Sequence, residues 1–223
     1  LSSSHFVVSH LAGYVFNLWV KLLWSISRGG KAANVWCLLL TSYCTGKITR
    51  WRSQFSGEQC VMCMEAVMNI GIYIYDEAEV LDFSGPFEVF STAKRLGAGS
   101  WNVFLVSETL EPVKARGGFT VLPDYSFQNH PQIDLLIVVG GVHRNEMNKS
   151  NVLHWVASVD KHAKHIASVC TGAFILANAG LLKGLAVTTH WEDIPELKQR
   201  FPDLVVVEDK RWITASKYTT SGG

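Results

Sequence analysis

The chain has 223 residues, a formal net charge of +1 and 17% charged side chains. That length suits one domain with room for a core, and so even a charge balance argues against a nucleic-acid or strongly acidic partner. The average hides a division. Residues 1–57 hold no Asp or Glu but carry Lys21, Arg28, Lys31, Lys47, Arg50 and Arg52, whereas from Met68 onward 14 basic and 17 acidic residues give a net charge of −3.

Four of the five cysteines and four of the eight tryptophans also precede Met68. A signal peptide needs its basic residues ahead of its apolar run, and here the order is reversed. His5–Trp24 comes nearest to a membrane span, but it contains His10, Asn17 and Lys21 and several Ser/Gly breaks. Cys60 and Cys63 have CxxC spacing without a second pair at metal-site spacing, and are read as chance. Residues 1–67 are therefore expected to be an upstream translation or disordered extension, with 68–223 as the folded domain. No membrane association is expected, and the protein is placed in the cytoplasm.

From Met68 the pattern sharpens. Asn69–Tyr75 reads as a strand rich in β-branched and aromatic residues, and Asp76–Leu81 as a loop. Ser84 caps a helix running to Lys94, with Pro86 near its start and Gly97 as its stop. Trp101–Ser107 is a second strand, and Pro112–Leu122 a hairpin around Arg116-Gly117-Gly118. Asp134–Val139 is a continuous apolar run, as expected of a strand buried on both faces, and Gly140-Gly141 ends it. A helix over Asn151–Ala163 precedes a strand over Ile166–Val169. Ala186–Thr189, a helix near Ile194–Arg200, Leu204–Val207 and a strand over Lys210–Ala215 follow. Strands alternating with helices imply a mostly parallel sheet with helices on both faces, a flavodoxin-like α/β sandwich. Ligands then bind at the carboxyl ends of the strands, where Asp82, Gly140, Cys170 and His190 all fall.

Cys170 is the residue on which function turns. It stands between the apolar strand and a run of Ala, Phe, Ile and Leu at helical spacing that Gly180 closes. A cysteine at such a turn has the form of a nucleophile elbow. The free N–H groups of the following helix favour its thiolate, the reactive form. The structural alternative is a small buried hydrophobe near a strand end.

Four segments occur in order: Val80-Leu81-Asp82-Phe83-Ser84-Gly85-Pro86, Val138-Val139-Gly140-Gly141, Ser168-Val169-Cys170-Thr171-Gly172-Ala173 and Thr188-Thr189-His190-Trp191. They resemble the ThiJ/PfpI superfamily, of the class I glutamine amidotransferase-like fold. Within it they are most similar to isonitrile hydratases and to the amidase-like domain of AraC-type regulators. The resemblance runs from about Asn69 to Gly223.

The resemblance implies that Cys170 is the nucleophile, Asp82 its acidic partner and Thr171 a hydrogen-bonding neighbour. Gly140 and Gly141 would turn backbone N–H groups toward the nucleophile. Like charges at close range leave one of the acidic pair protonated, and Asp82 is expected to be the neutral one. Each residue also has a structural alternative: a helix cap for Asp82, a tight turn for the glycines, a helix N-terminus for Thr171. His190 is read as a packed structural residue, with a base for Cys170 as the alternative. Thr171 stands where the peptidase-like branch has histidine, which argues against a Cys-His protease. The resemblance implies a homodimer acting on a small molecule, with no metal or organic cofactor. It also implies that the chain lacks a closing helix beyond Thr220-Ser221-Gly222-Gly223. The enzyme reading is isonitrile hydration. The binding reading is the sensing domain of a regulator, with no nucleic acid bound by this segment. Stress-response or oxidation-sensing chemistry at Cys170 is a third reading.

Overall fold

The computed structural model describes residues 67–97 and 100–223. The readings for the first 66 residues, including the Cys60/Cys63 spacing and His5–Trp24, lie outside the described residues. Met68 opens β1 (Met68–Tyr73), followed by helix α1 (Val80–Arg95). Strand β2 (Trp101–Ser107) leads into the expected hairpin, β3 (Val113–Lys114) and β4 (Thr120–Val121) around a 3-10 turn at Arg116–Gly118. Then come β5 (Tyr125–Ser126), β6 (Leu135–Val138), α2 (His143–Glu146) and α3 (Ser150–Asp160). The second half consists of β7 (His165–Val169), α4 (Gly172–Asn178), β8 (Ala186–Val187), α5 (Ile194–Arg200), β9 (Val205–Val206), β10 (Trp212–Ala215) and β11 (Tyr218–Ser221).

Seven strands form one sheet in the order β10-β11-β7-β6-β1-β2-β5, parallel except where β10 meets β11. The architecture is the flavodoxin-like α/β class, with helices flanking a mostly parallel sheet. Its centre is the most apolar part: all four residues of β6 are buried, as a strand covered on both faces requires. Tyr73 pairs with Val138 and Val138 with Ser168, so β1, β6 and β7 end level with one another. From β1 the chain builds outward through β2 on one side and later through β6 on the other. Such a switch point opens a crevice beyond the strand ends, and the loops leaving β1, β6 and β7 enter it.

Three departures from the sequence reading matter. Helix α1 begins at Val80, not Ser84, so Asp82 lies in its first turn and Pro86 inside it. Ser84 does not cap the helix; its hydroxyl donates to the Val80 carbonyl at 2.7 Å, a bond back along the helix. Proline carries no N–H, so the early turns of α1 depend on tertiary packing rather than propensity. Strand β11 was not anticipated, because Tyr-Thr-Thr-Ser carries little apolar signal. Yet it lies inside the sheet, parallel to β7, and Thr220 and Ser221 are buried. The segment Ala186–Thr189 joins no strand of the main sheet; β8 pairs only with β9.

Candidate active site around Cys170

Cys170 follows β7 directly, and Thr171 alone separates it from α4. Its φ is +52°. That left-handed conformation costs a residue with a Cβ roughly 1–2 kcal/mol and is retained only where the surroundings enforce it. The backbone thus turns sharply from strand to helix at Cys170. Helix α4 packs tightly behind it, for a methyl group on Gly172 would stand 2.2 Å from the Val138 carbonyl oxygen.

Asp82 reaches the same place from α1. It is only 5% exposed, and its Oδ2 accepts the Gly140 N–H at 2.9 Å. Gly140 is the contact point of the two side chains. A methyl group there would stand 2.7 Å from Cys170 Cβ and 2.8 Å from Asp82 Oδ2. Gly141 has φ +142°, and a methyl group on it would meet the Glu77 carbonyl oxygen at 2.3 Å. Glycine is required at both places, as the motif suggested.

The Gly140-Gly141 loop differs from the expectation in one respect. Its N–H groups do not stand open toward the nucleophile. Gly140 donates to Asp82, and Gly141 donates to Thr171 Oγ1 at 3.0 Å. Thr171 in turn donates to the Gly141 carbonyl at 3.1 Å. Thr171 thus fixes the loop. The donor that favours charge on the Cys170 sulfur is the backbone N–H of Thr171.

Both acidic groups are raised from their ordinary values. Burial pushes the Asp82 carboxyl up to about 7, against the pull of the Gly140 N–H and helped by Glu79. Burial, then the Asp82 charge, push the Cys170 thiol up to about 12, with the Thr171 N–H pulling the other way. Burial therefore raises both groups, and the Asp82 charge works against ionisation of the neighbouring sulfur. One helix terminus of seven residues does not offset the desolvation of the sulfur and an adjacent carboxylate.

His190 lies close by. A methyl group on Gly223 would stand 3.4 Å from Cys170 Sγ and 3.7 Å from His190 Nδ1. That Nδ1 is buried with no hydrogen-bond partner among the described residues, while Nε2 is 3.5 Å from Glu192 Oε2. All six residues singled out from the sequence thus meet around one elbow. The sequence reading missed Thr189, whose hydroxyl donates to the Cys170 carbonyl at 2.8 Å. It also missed Tyr75, a buried phenol whose ionisation is disfavoured first by burial and then by the charges of Glu146 and Asp82. Tyr75 ends the apolar run after β1, which was the only signal for it. Glu79, paired with Arg116 at 3.0 Å, adds negative charge beside Asp82.

A cavity of about 940 Å³ opens over Cys170, Asp82 and His190. Among the described residues no helix is long and apolar enough to cross a membrane, and no cluster of His, Cys, Asp and Glu could hold a metal ion.

Fold and site together define an α/β protein with a buried carboxyl and a cysteine elbow at the switch point of its sheet. The chain belongs to the DJ-1/PfpI family, whose profile matches residues 68–222. It is 32% identical over 125 residues to the isonitrile hydratase of Pseudomonas putida, covering 56% of this chain and 53% of that protein. It is 29% identical over 144 residues to the HTH-type transcriptional regulator CdhR of Pseudomonas aeruginosa, covering 65% of this chain and 43% of the regulator. The match thus spans about half of the hydratase and less than half of the regulator. A ThiJ/PfpI family protein from Pseudomonas syringae superposes with a TM-score of 0.63 at 25% identity, over 76% of this chain and 69% of that one. An AraC family regulator from Pseudomonas putida shares the fold, with a TM-score of 0.61 at 19% identity over 69% of this chain and 83% of the other.

Proposed function

We propose that the protein is a cysteine-dependent enzyme that hydrates an isonitrile to an N-substituted formamide. The observation that carries this reading is the meeting of Asp82 and Cys170 at Gly140: a carboxyl that burial raises to about 7 beside a thiol that burial and the Asp82 charge raise as well. Addition of a thiol to R–N≡C places both the sulfur and a proton on the terminal carbon. Asp82 takes the thiol proton and delivers it to that carbon as the S–C bond forms, giving Cys170 Sγ–CH=N–R. Water then adds to the thioimidate carbon with Asp82 as base, the nitrogen takes a proton, and the C–S bond breaks. R–NH–CHO leaves and the sulfur regains its proton. One water is consumed, and the balance needs neither oxidant nor reductant. A general acid–base group with a pKa near the working pH suits both steps.

The rim of the cavity supports an apolar R group. Leu81, Val142 and Trp191 line it while remaining 55%, 48% and 72% exposed. Large apolar side chains exposed around a concave site mark ligand contact.

The test is direct. Purified protein is incubated with cyclohexyl and benzyl isonitrile, and the matching formamides are quantified by chromatography. Formamide formation above the buffer rate is expected, and its absence in the parent protein counts against the reading. The second reading is the sensing domain of an AraC-type regulator, which the similarity to CdhR favours. Under it, calorimetry detects ligand binding with no turnover.

A further inference from the structure

Cys170 holds a left-handed backbone at φ +52° although it is not a glycine. Something outside the strand and helix must hold it there. The Cys170 carbonyl oxygen accepts the hydroxyl proton of Thr189 at 2.8 Å. Thr189 is 2% exposed and comes from a different part of the chain, just beyond β8. It has a firm anchor of its own. The neighbouring Thr188 N–H donates to Thr220 Oγ1 at 2.8 Å, and the Thr188 hydroxyl reaches the Lys210 carbonyl at 3.4 Å. Thr220 belongs to β11, which is paired along β7; from that strand Ser221 Oγ donates to the Ser168 carbonyl at 3.0 Å. The elbow is thus held from β11 through Thr188 and Thr189.

We infer that Thr189 is the positioning residue of the elbow: its hydroxyl holds the Cys170 peptide in the left-handed conformation that keeps the sulfur against the Thr171 N–H. This role concerns the reactivity of Cys170 itself and stands whether the chain is a hydratase or a sensor. Without the hydroxyl the Cys170 carbonyl is free to rotate toward ordinary backbone angles. The sulfur then leaves the one N–H that favours its charged form. The thiolate fraction falls, and with it every reaction of that sulfur.

The test compares Thr189→Val, Thr189→Ser and Thr189→Ala in the full chain. The readout is the second-order rate of Cys170 alkylation by iodoacetamide at pH 8.5, with peptide mapping to isolate Cys170 from the other cysteines. Thr189→Val removes the hydroxyl at constant volume, and is expected to slow alkylation about tenfold. Thr189→Ser keeps the hydroxyl and is expected to stay within about twofold of the parent. If Thr189→Val does not fold, Ser against Ala isolates the hydroxyl at nearly equal size, and Ala is expected to be the slow one. Far-UV circular dichroism and the melting curve establish that each variant is folded at the assay temperature. A folded Val or Ala variant that alkylates at the parent rate overturns the inference. So does a Ser variant that falls as far as Ala, because packing of the methyl group would then be responsible. Isonitrile turnover measured in parallel separates this outcome from that of the hydratase reading. A parent with no turnover but a hydroxyl-dependent alkylation rate keeps Thr189 in its role and removes the enzyme.

Discussion

Asp82 and Cys170 come from segments 88 positions apart in sequence and both close on the Cβ position of one glycine, Gly140, leaving no room there for a methyl group. The pair shares one burial environment. Desolvation raises both groups, and the ionised Asp82 raises the thiol further. The chemistry of the site follows from that coupling rather than from either residue alone.

Replacing Asp82 with Asn separates catalysis from reactivity. In the proposed hydration Asp82 moves the proton in both steps, so Asp82→Asn is expected to lower isonitrile turnover by roughly 10²- to 10⁴-fold. Cys170→Ala is expected to leave only the background rate, and the two losses are not additive, because both residues serve one step. Alkylation of Cys170 moves the other way. Removing the neighbouring charge eases ionisation of the thiol, so at pH 8.5 the Asn variant should react faster with iodoacetamide than the parent. An Asn variant with parent turnover would take Asp82 out of the mechanism.

Stability should depend on pH through the same carboxyl. Asp82 is raised from 3.8 to about 7 in the folded state, so between those values the native protein binds more protons than the unfolded chain. Stability from this group is fully present below about pH 4 and is lost as pH rises through about 7. The whole effect is on the order of 4 kcal/mol. Asp82→Asn carries no charge to desolvate and should melt higher than the parent at pH 8, with the difference vanishing near pH 4. Denaturation curves across pH 4 to 8 measure it. Parallel curves for parent and variant would show that burial of Asp82 has no energetic weight.

Gly140→Ala tests the close approach. The added methyl group meets Cys170 Cβ, the Thr171 nitrogen and Asp82 Oδ2 all below 3 Å. Overpacking of this kind typically costs 1–3 kcal/mol. Displacing Asp82 from Cys170 should remove activity by roughly 10²-fold or more. Melting temperature and turnover should both fall, and a fully active Ala variant would contradict the geometry.

The rim and the histidine should separate binding from chemistry. Trp191→Ala removes an exposed aromatic surface from the cavity, and is expected to raise KM for benzyl isonitrile several-fold with little change in kcat. His190→Ala is expected to cost turnover far less than Asp82→Asn if His190 is a packed residue. A loss as large as that of Asp82→Asn would make His190 a base for Cys170. Steady-state kinetics on the two variants give both answers.

Some of this was legible along the chain. The apolar run at 134–139 and the alternation of strand and helix define a parallel sheet, because periodicity is a local record of which face is buried. The glycine pair and the small residues around Cys170 mark an elbow, because a close approach or a positive φ leaves few side chains that fit. The order of the four motifs places all six candidate residues at one sheet edge. The reach of α1 back to Val80 was not legible, because Ser84 and Pro86 carry the local signature of a helix start. Their environment, not their propensity, decides that the helix begins earlier.

Residue types and their order by themselves determined the fold class and marked Cys170, Asp82 and Gly140 as residues that come together at one strand-to-helix turn. Only the tertiary structure decided that polar β11 belongs inside the sheet and that the Gly140 and Gly141 N–H groups are already engaged. It also decided that the Thr189 hydroxyl donates to the Cys170 carbonyl and that burial raises both Asp82 and Cys170. The reason is physical. Periodicity and turn chemistry act over a few neighbouring residues, whereas desolvation, charge coupling and hydrogen-bond satisfaction depend on what the folded chain brings within a few ångströms from elsewhere.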